Sequence, residues 1–206
     1  MRVLMKDGLI VLVPVSAEEA DDVERWKSAY ADHVFHVRVS PNAALELHGL
    51  GTRADACREP VNIVSNSPDP TVRLISNFAA TPFDLEGKTY RSVESFWQGL
   101  KFPDEADRRR LAQLDGARAR AEGETQGYGA TIAYGGHDIP VGTWPHWQLM
   151  ETACRAKFEQ NGETRAALLA TGDRPLTHIV RRDSRTIPGA IMAAIWMCIR
   201  ADLRRR

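Results

Sequence analysis

Glu94, Gln98 and Lys101 are the residues whose types and spacing first suggest chemistry. At about 100° per residue on a helix they cluster within roughly 60° of arc, beside the edge of Trp97. A carboxylate, an amide and an ammonium converging next to an aromatic can line a site for a polar small molecule. Polar residues three to four apart on a helix also form ordinary solvated pairs worth a few tenths of a kcal/mol. Spacing alone leaves both readings open.

The element that must position them runs from Ser76 to Phe102. It reads as a short extended segment, a turn at Glu86-Gly87-Lys88, and a helix from about Ser92, for which Thr89 or Ser92 can serve as cap. Val93, Phe96, Trp97 and Leu100 share a face and are the expected buried side. Two shorter helical pieces follow, Glu105 to Leu114 and one ending near Gly123, with Arg108, Arg109 and Arg110 splayed into solvent. The glycine-rich stretch 123–142 reads as a flexible surface loop, a lid over a pocket or a disordered insertion. Trp144-Pro145 opens a long helix with proline suited to its first turn. Lys157 falls inside the apolar arc of that helix, so a carboxylate partner or a pocket-facing role is expected. Glu163 to Ala170 forms a helix stopped at Gly172, Leu176 to Asp183 a strand and turn, and Gly189 to Leu203 the last helix. Arg204 to Arg206 suit the negative end of its dipole.

Ahead of this lies a β-β-α-β pattern: a hairpin around Lys6-Asp7-Gly8, a helix opened by a Ser16/Glu19 capping box, and a strand from Val34 to Val39. Trp26 is expected as a core anchor. Residues 40–70 read as loop with a short strand at Val61 to Val64. The expected fold is α+β and mostly helical, with an N-terminal extension (1–70) and a main domain (71–206).

Composition narrows the function classes. Lys+Arg and Asp+Glu both total 27, so a polyanion-coating role has no global electrostatic support, and non-specific nucleic-acid binding is not expected. No apolar run approaches the ~20 residues of a membrane span, and no signal-peptide pattern is present. Cys57, Cys154 and Cys198 are widely spaced without a CxxC, which suits a reduced, cytoplasmic compartment. The histidines form no HxxxH or HExxH pattern, so no metal is expected. Oligomeric state is not readable.

The wording of the central stretch adds a resemblance. Ser76-Asn77-Phe78, Gly87-Lys88-Thr89-Tyr90, then Glu94, Gln98, Lys101 and Phe102 resemble the signature of the YbiA-like N-glycosidases, the NADAR family. A second block, Arg155 to Gln160 followed by Arg165 to Gly172, is similar too, and the likeness runs from about Arg73 to Arg206. It implies hydrolysis of an N-glycosidic bond between ribose and a base, with no metal or organic cofactor. The substrate would be a phosphorylated ribosylamino-pyrimidine of the riboflavin pathway or an ADP-ribosylated nucleobase; a non-catalytic ADP-ribose or NAD reader is the alternative.

Such a reaction passes through an oxocarbenium-like state that a carboxylate stabilises or supplies with activated water. Glu94 is the candidate, with Asp183 as a further catalytic position. Lys101 is the favoured assisting lysine, ahead of Lys88 and Lys157. Ser76, Asn77 and Phe78 would hold ribose or phosphate, Gln98 would neighbour Glu94, and Trp97, Trp144 or Trp147 would stack on the base. Arg118 or Arg120 would bind phosphate. The chain departs from the family pattern after Asp183, where Ser184-Arg185 replaces the expected Trp-Gly, and at Ser95 and Leu100 within the helix.

Overall fold

Short hairpins and helices alternate along the chain, and local sequence chemistry sets most of their boundaries. The computed structural model describes residues 1–6, 9–39, 45–181 and 184–205. The expected turn at Asp7-Gly8, the candidate Asp183 and the terminal Arg206 therefore lie outside the described residues.

Strands β1 (Arg2–Lys6) and β2 (Leu9–Val13) pair antiparallel, with Val3 opposite Leu12. Helix α1 (Ala17–Tyr30) starts where the Ser16 hydroxyl accepts from the Glu19 N–H. The Glu19 carboxylate turns to the Val15 N–H at 2.7 Å instead of closing the expected box on Ser16. Strand β3 (His33–Val39) pairs with β4 (Leu45–Thr52), which occupies part of the stretch expected to be loop. The β4 glycines misled: Gly49 lies under the Phe35 ring, and the ladder overrides a composition that reads as loop. Trp26 is also corrected. It is 46% exposed and packs only at the surface, its ring 5.1 Å from Phe35 and 5.8 Å from Tyr30.

After α2 (Arg53–Ala56), capped reciprocally by Thr52 and Asp55, the chain enters the main core through β5 (Val61–Asn62). Helix α3 (Pro70–Ile75) has Asp69 as cap and proline in its first turn. The β6 (Phe83–Leu85) to β7 (Lys88–Tyr90) hairpin turns through Glu86 and Gly87, both at positive φ. Helix α4 (Val93–Gly99) opens at Ser92, whose hydroxyl accepts from the Ser95 N–H while Ser95 reaches back. Helices α5 (Glu105–Ala112) and α6 (Gly116–Gly123) follow, both with aspartate caps. Arg108 departs from the solvated reading, donating to the Phe102 and Ala133 carbonyls at 2.6 Å each.

The expected flexible loop contains a hairpin, β8 (Thr131–Tyr134) with β9 (His137–Pro140), turning at Gly135-Gly136. Ile132 is buried and the Tyr134 ring meets Phe96 edge-on at 6.0 Å. Helices α7 (Trp144–Gln160) and α8 (Gly162–Ala170) come next, the second ending before Gly172 at φ 59°. Strand β10 (Leu176–Thr177) pairs parallel with β5, a 3-10 turn spans Ile179–Arg181, and α9 (Gly189–Arg204) closes the chain. The fold is α+β and predominantly helical, as expected.

At the centre sits α4, buried on every face. Its apolar side, Val93, Phe96 and Trp97, joins Met150 and Phe158 of α7 and Ile195 and Trp196 of α9. Each such side chain contributes about 1.5–3 kcal/mol by leaving water. The polar side is closed by α6, because a Cβ at Gly123 would overlap the Gln98 amide. Likewise Gly116 lets α6 touch the backbone of Phe78, where any Cβ would clash.

Candidate functional site

The solvated reading of Glu94 does not hold: its side chain lies in the interior, the residue 4% exposed. Two hydrogen bonds fix it. Its backbone N–H donates to the Asn77 carbonyl at 2.9 Å, and its Oε1 accepts from Gln98 Nε2 at 2.6 Å. Burial raises the Glu94 carboxyl above its ordinary value; the Gln98 donor and the charges of Arg181, Arg120 and Lys101 pull the other way without cancelling that.

Glu94 borders a cavity of about 280 Å³. The loop after α3 supplies one wall with Ser76, Asn77 and Phe78, and Trp97 lines the cavity with Glu94. Arg120 of α6 and Arg181 of the 3-10 turn bring two guanidinium-bearing residues to the lining, and His178 joins them. Arg120 pairs with Glu124 at 2.6 Å. One carboxylate facing two arginines suits a ligand that carries negative charge. Among the described residues no cluster of three or more His, Cys, Asp or Glu could hold a metal ion.

The other expected residues divide. Gln98 sits behind Glu94 rather than on the cavity wall. Lys101 does not line the cavity: its Nζ donates to the Gly123 carbonyl at 2.6 Å and lies 5.2 Å from the Tyr128 ring centre. Burial, then the Arg120 charge, lowers its pKa, while Glu94 acts in the opposite sense. Lys88 is paired with Glu105 on the surface. Arg118 is exposed and 3.6 Å from Asp115, the solvated alternative. Trp144 and Trp147 meet edge-on at 6.3 Å and neither lines the cavity. Trp97 has one face covered by His146, stacked at 4.3 Å and 19°.

Lys157 needs a correction. It meets neither a carboxylate nor the cavity. Fully buried, its Nζ donates to the carbonyls of Leu74, Ile75 and Ser76 at 2.7, 3.1 and 2.7 Å. Those of Leu74 and Ile75 are leftover acceptors at the C-terminus of α3, where a cation is favoured by the helix dipole, while the Ser76 carbonyl also accepts from the Ala79 N–H at 3.1 Å. The lysine thus holds the chain immediately before Asn77. The Asn77 amide itself turns inward, its Nδ2 3.5 and 3.4 Å from the sulfurs of Met150 and Met192.

His178, Arg181 and Asn66 line the cavity and went unnoticed in the sequence. No local motif marks them. They arrive because β5 and β10 pair in parallel, bringing segments more than a hundred residues apart to one edge of the site.

A buried carboxylate on the central helix of an α+β core, sharing its cavity with two arginines, suits an anionic small molecule. The chain belongs to the YbiA-like N-glycosidase family. Residues 70–201 match the family described as bacteriophage protein GP30.3. Over 129 residues the chain is 33% identical to N-glycosidase YbiA of Escherichia coli (strain K12), covering 60% of this chain and 72% of that protein. N-glycosidase YbiA of Shigella boydii serotype 4 (strain Sb227) is 32% identical over the same shares. The NMR structure of the E. coli protein YbiA superposes with a TM-score of 0.53 at 25% identity, covering 74% of this chain and 90% of that one.

Proposed function

We propose that this protein hydrolyses the N-glycosidic bond between ribose and a base, with Glu94 as the working carboxylate. The observation that carries this reading is the Glu94 carboxylate held in the interior beside a cavity of about 280 Å³ with two arginines in its lining. An oxocarbenium-like transition state places positive charge on the ribose ring, and a preorganised, poorly hydrated carboxylate stabilises it more than water does. The Gln98 donor occupies Oε1 and leaves Oε2 for that task. Arg181 and Arg120 would bind a phosphate on the sugar, and Lys101 assists through its charge from behind Glu94. The substrates this suits are a phosphorylated ribosylamino-pyrimidine or an ADP-ribosylated nucleobase.

A second reading has its own observation. With one face of Trp97 covered by His146 and Trp144 outside the lining, the described residues offer no fully open indole face to a leaving base. A non-catalytic ADP-ribose or NAD reader fits that layout. Glu94→Gln separates the two. It keeps the Gln98 hydrogen bond and removes only the charge, so turnover is expected to fall by about 10²–10⁴-fold while ligand binding survives. Wild-type binding without any released base would favour the reader.

A further inference from the structure

His178 is held more firmly than a cavity-lining residue needs for packing alone. Its Nδ1 lies 2.7 Å from the Ile63 carbonyl oxygen, and its ring meets Trp196 edge-on at 5.3 Å and 85°. The backbone around it is fixed from three sides. The Ile63 N–H donates to the Thr177 carbonyl at 2.9 Å, the Ile179 N–H donates to Asn62 Oδ1 at 3.1 Å, and Gly189 packs so closely on the His178 carbonyl that no Cβ would fit.

A carbonyl oxygen only accepts, so Nδ1 must carry the hydrogen. In the neutral imidazole this leaves the Nε2 lone pair free to accept, with no hydrogen bond to it among the described residues, on a residue that shares its cavity with Glu94. We propose that His178 is a second proton-handling group of this site, its Nε2 accepting a proton from the water that attacks the ribose. The inference rests on the N-glycosidase reading above.

The step balances as follows. A water O–H bond breaks as its oxygen bonds to the anomeric carbon, and the proton passes to Nε2. The carbon–nitrogen bond breaks with its electron pair going to the base, whose nitrogen then takes the proton back from the imidazolium. Glu94 stabilises the cationic ring throughout. Burial holds the His178 pKa below its ordinary value, the Ile63 hydrogen bond opposes that, and the Arg181 charge adds to it. Among the described residues, Glu94 of α4 and Arg120 of α6 are the other charged groups lining the cavity; Trp196 and Ile63, packed against the ring, carry none.

The test is the pH dependence of kcat for the wild type, His178→Asn and Glu94→Gln, with the melting temperature of each. Asparagine keeps a donor near the Nδ1 position for Ile63 but has nothing at Nε2. The wild type is expected to lose activity on the acid side with a slope approaching two, because both groups must be unprotonated. His178→Asn is expected to lower kcat about 100-fold, leave KM nearly unchanged and reduce that slope to one. An unchanged kcat and slope in His178→Asn, with turnover lost in Glu94→Gln, overturns this inference alone. So does a raised KM with the slope intact, which marks a binding role. Absence of turnover by the wild type overturns the N-glycosidase reading as well. The tautomer is read separately by 15N NMR of the unliganded protein, where finding the hydrogen on Nε2 would remove the premise.

Discussion

Glu94 shows how a catalytic carboxylate is maintained against its own folding energetics. Its folded pKa is raised, so the protonated form is favoured in the folded state, and its stabilising contribution fades as pH rises through that pKa. Wherever the carboxyl is ionised, its buried charge is a burden. Glu94→Gln is therefore expected to stabilise the protein above that pKa by about 1 kcal/mol, measured by thermal melts of both proteins across a pH series. A lower melting temperature would show that the charge is needed for the fold. Gln98 tunes the same group: its Nε2 bond holds Glu94 down, while its Oε1 has no partner among the described residues. Gln98→Met removes the donor, so the acid limb of the pH–rate profile is expected to move to higher pH; a shift to lower pH contradicts the assignment. Spacing alone grouped Glu94, Gln98 and Lys101. It could not show their burial, because the covering helix α6 approaches through Gly123, whose role is spatial and leaves no periodic trace.

The elements that frame the site depend on polar groups serving backbone. Lys157 of α7 gathers three carbonyls at the end of α3 and so fixes the loop that carries Asn77 to the Glu94 N–H. Lys157→Met would leave the Leu74 and Ile75 carbonyls without their lysine donor in the interior and is expected to destabilise the fold by about 3 kcal/mol, measured by urea titration. Burial brings the lysine's pKa down to about 7. Relative to an unfolded lysine near ~10.4, its contribution to stability is lost as pH falls through that folded value and grows as pH rises above it. The helical period placed this lysine in the apolar arc, and only the tertiary arrangement revealed acceptors other than a carboxylate. Glycine content hid β4 and the β8–β9 hairpin for a related reason. Gly135 and Gly136 read as flexibility, yet they supply the positive φ values that a tight hairpin requires.

Across the whole molecule, the family match spans residues 70–201, but the compact core begins earlier. Val61 and Ile63 are buried in it, and Val64, Ser65 and Asn66 line the cavity. The composition of residues 40–70 resembles a linker, which concealed that contribution. By contrast α1 buries no residue, and Val3, Leu4, Leu12 and Val15 stand exposed. Treating the N-terminal segment as an extension, we expect deletion of residues 1–30 to lower the melting temperature by less than about 3 °C; collapse of the transition would show that the segment is integral. The reading of the site as an N-glycoside hydrolase is tested most directly by mass spectrometry. Wild-type protein and Glu94→Gln would each be incubated with a ribosylamino-pyrimidine phosphate, ADP-ribosylated guanosine DNA and NAD. Release of free base or ADP-ribose by the wild type alone is the expected result, and equal release by both proteins, or by neither, would contradict it.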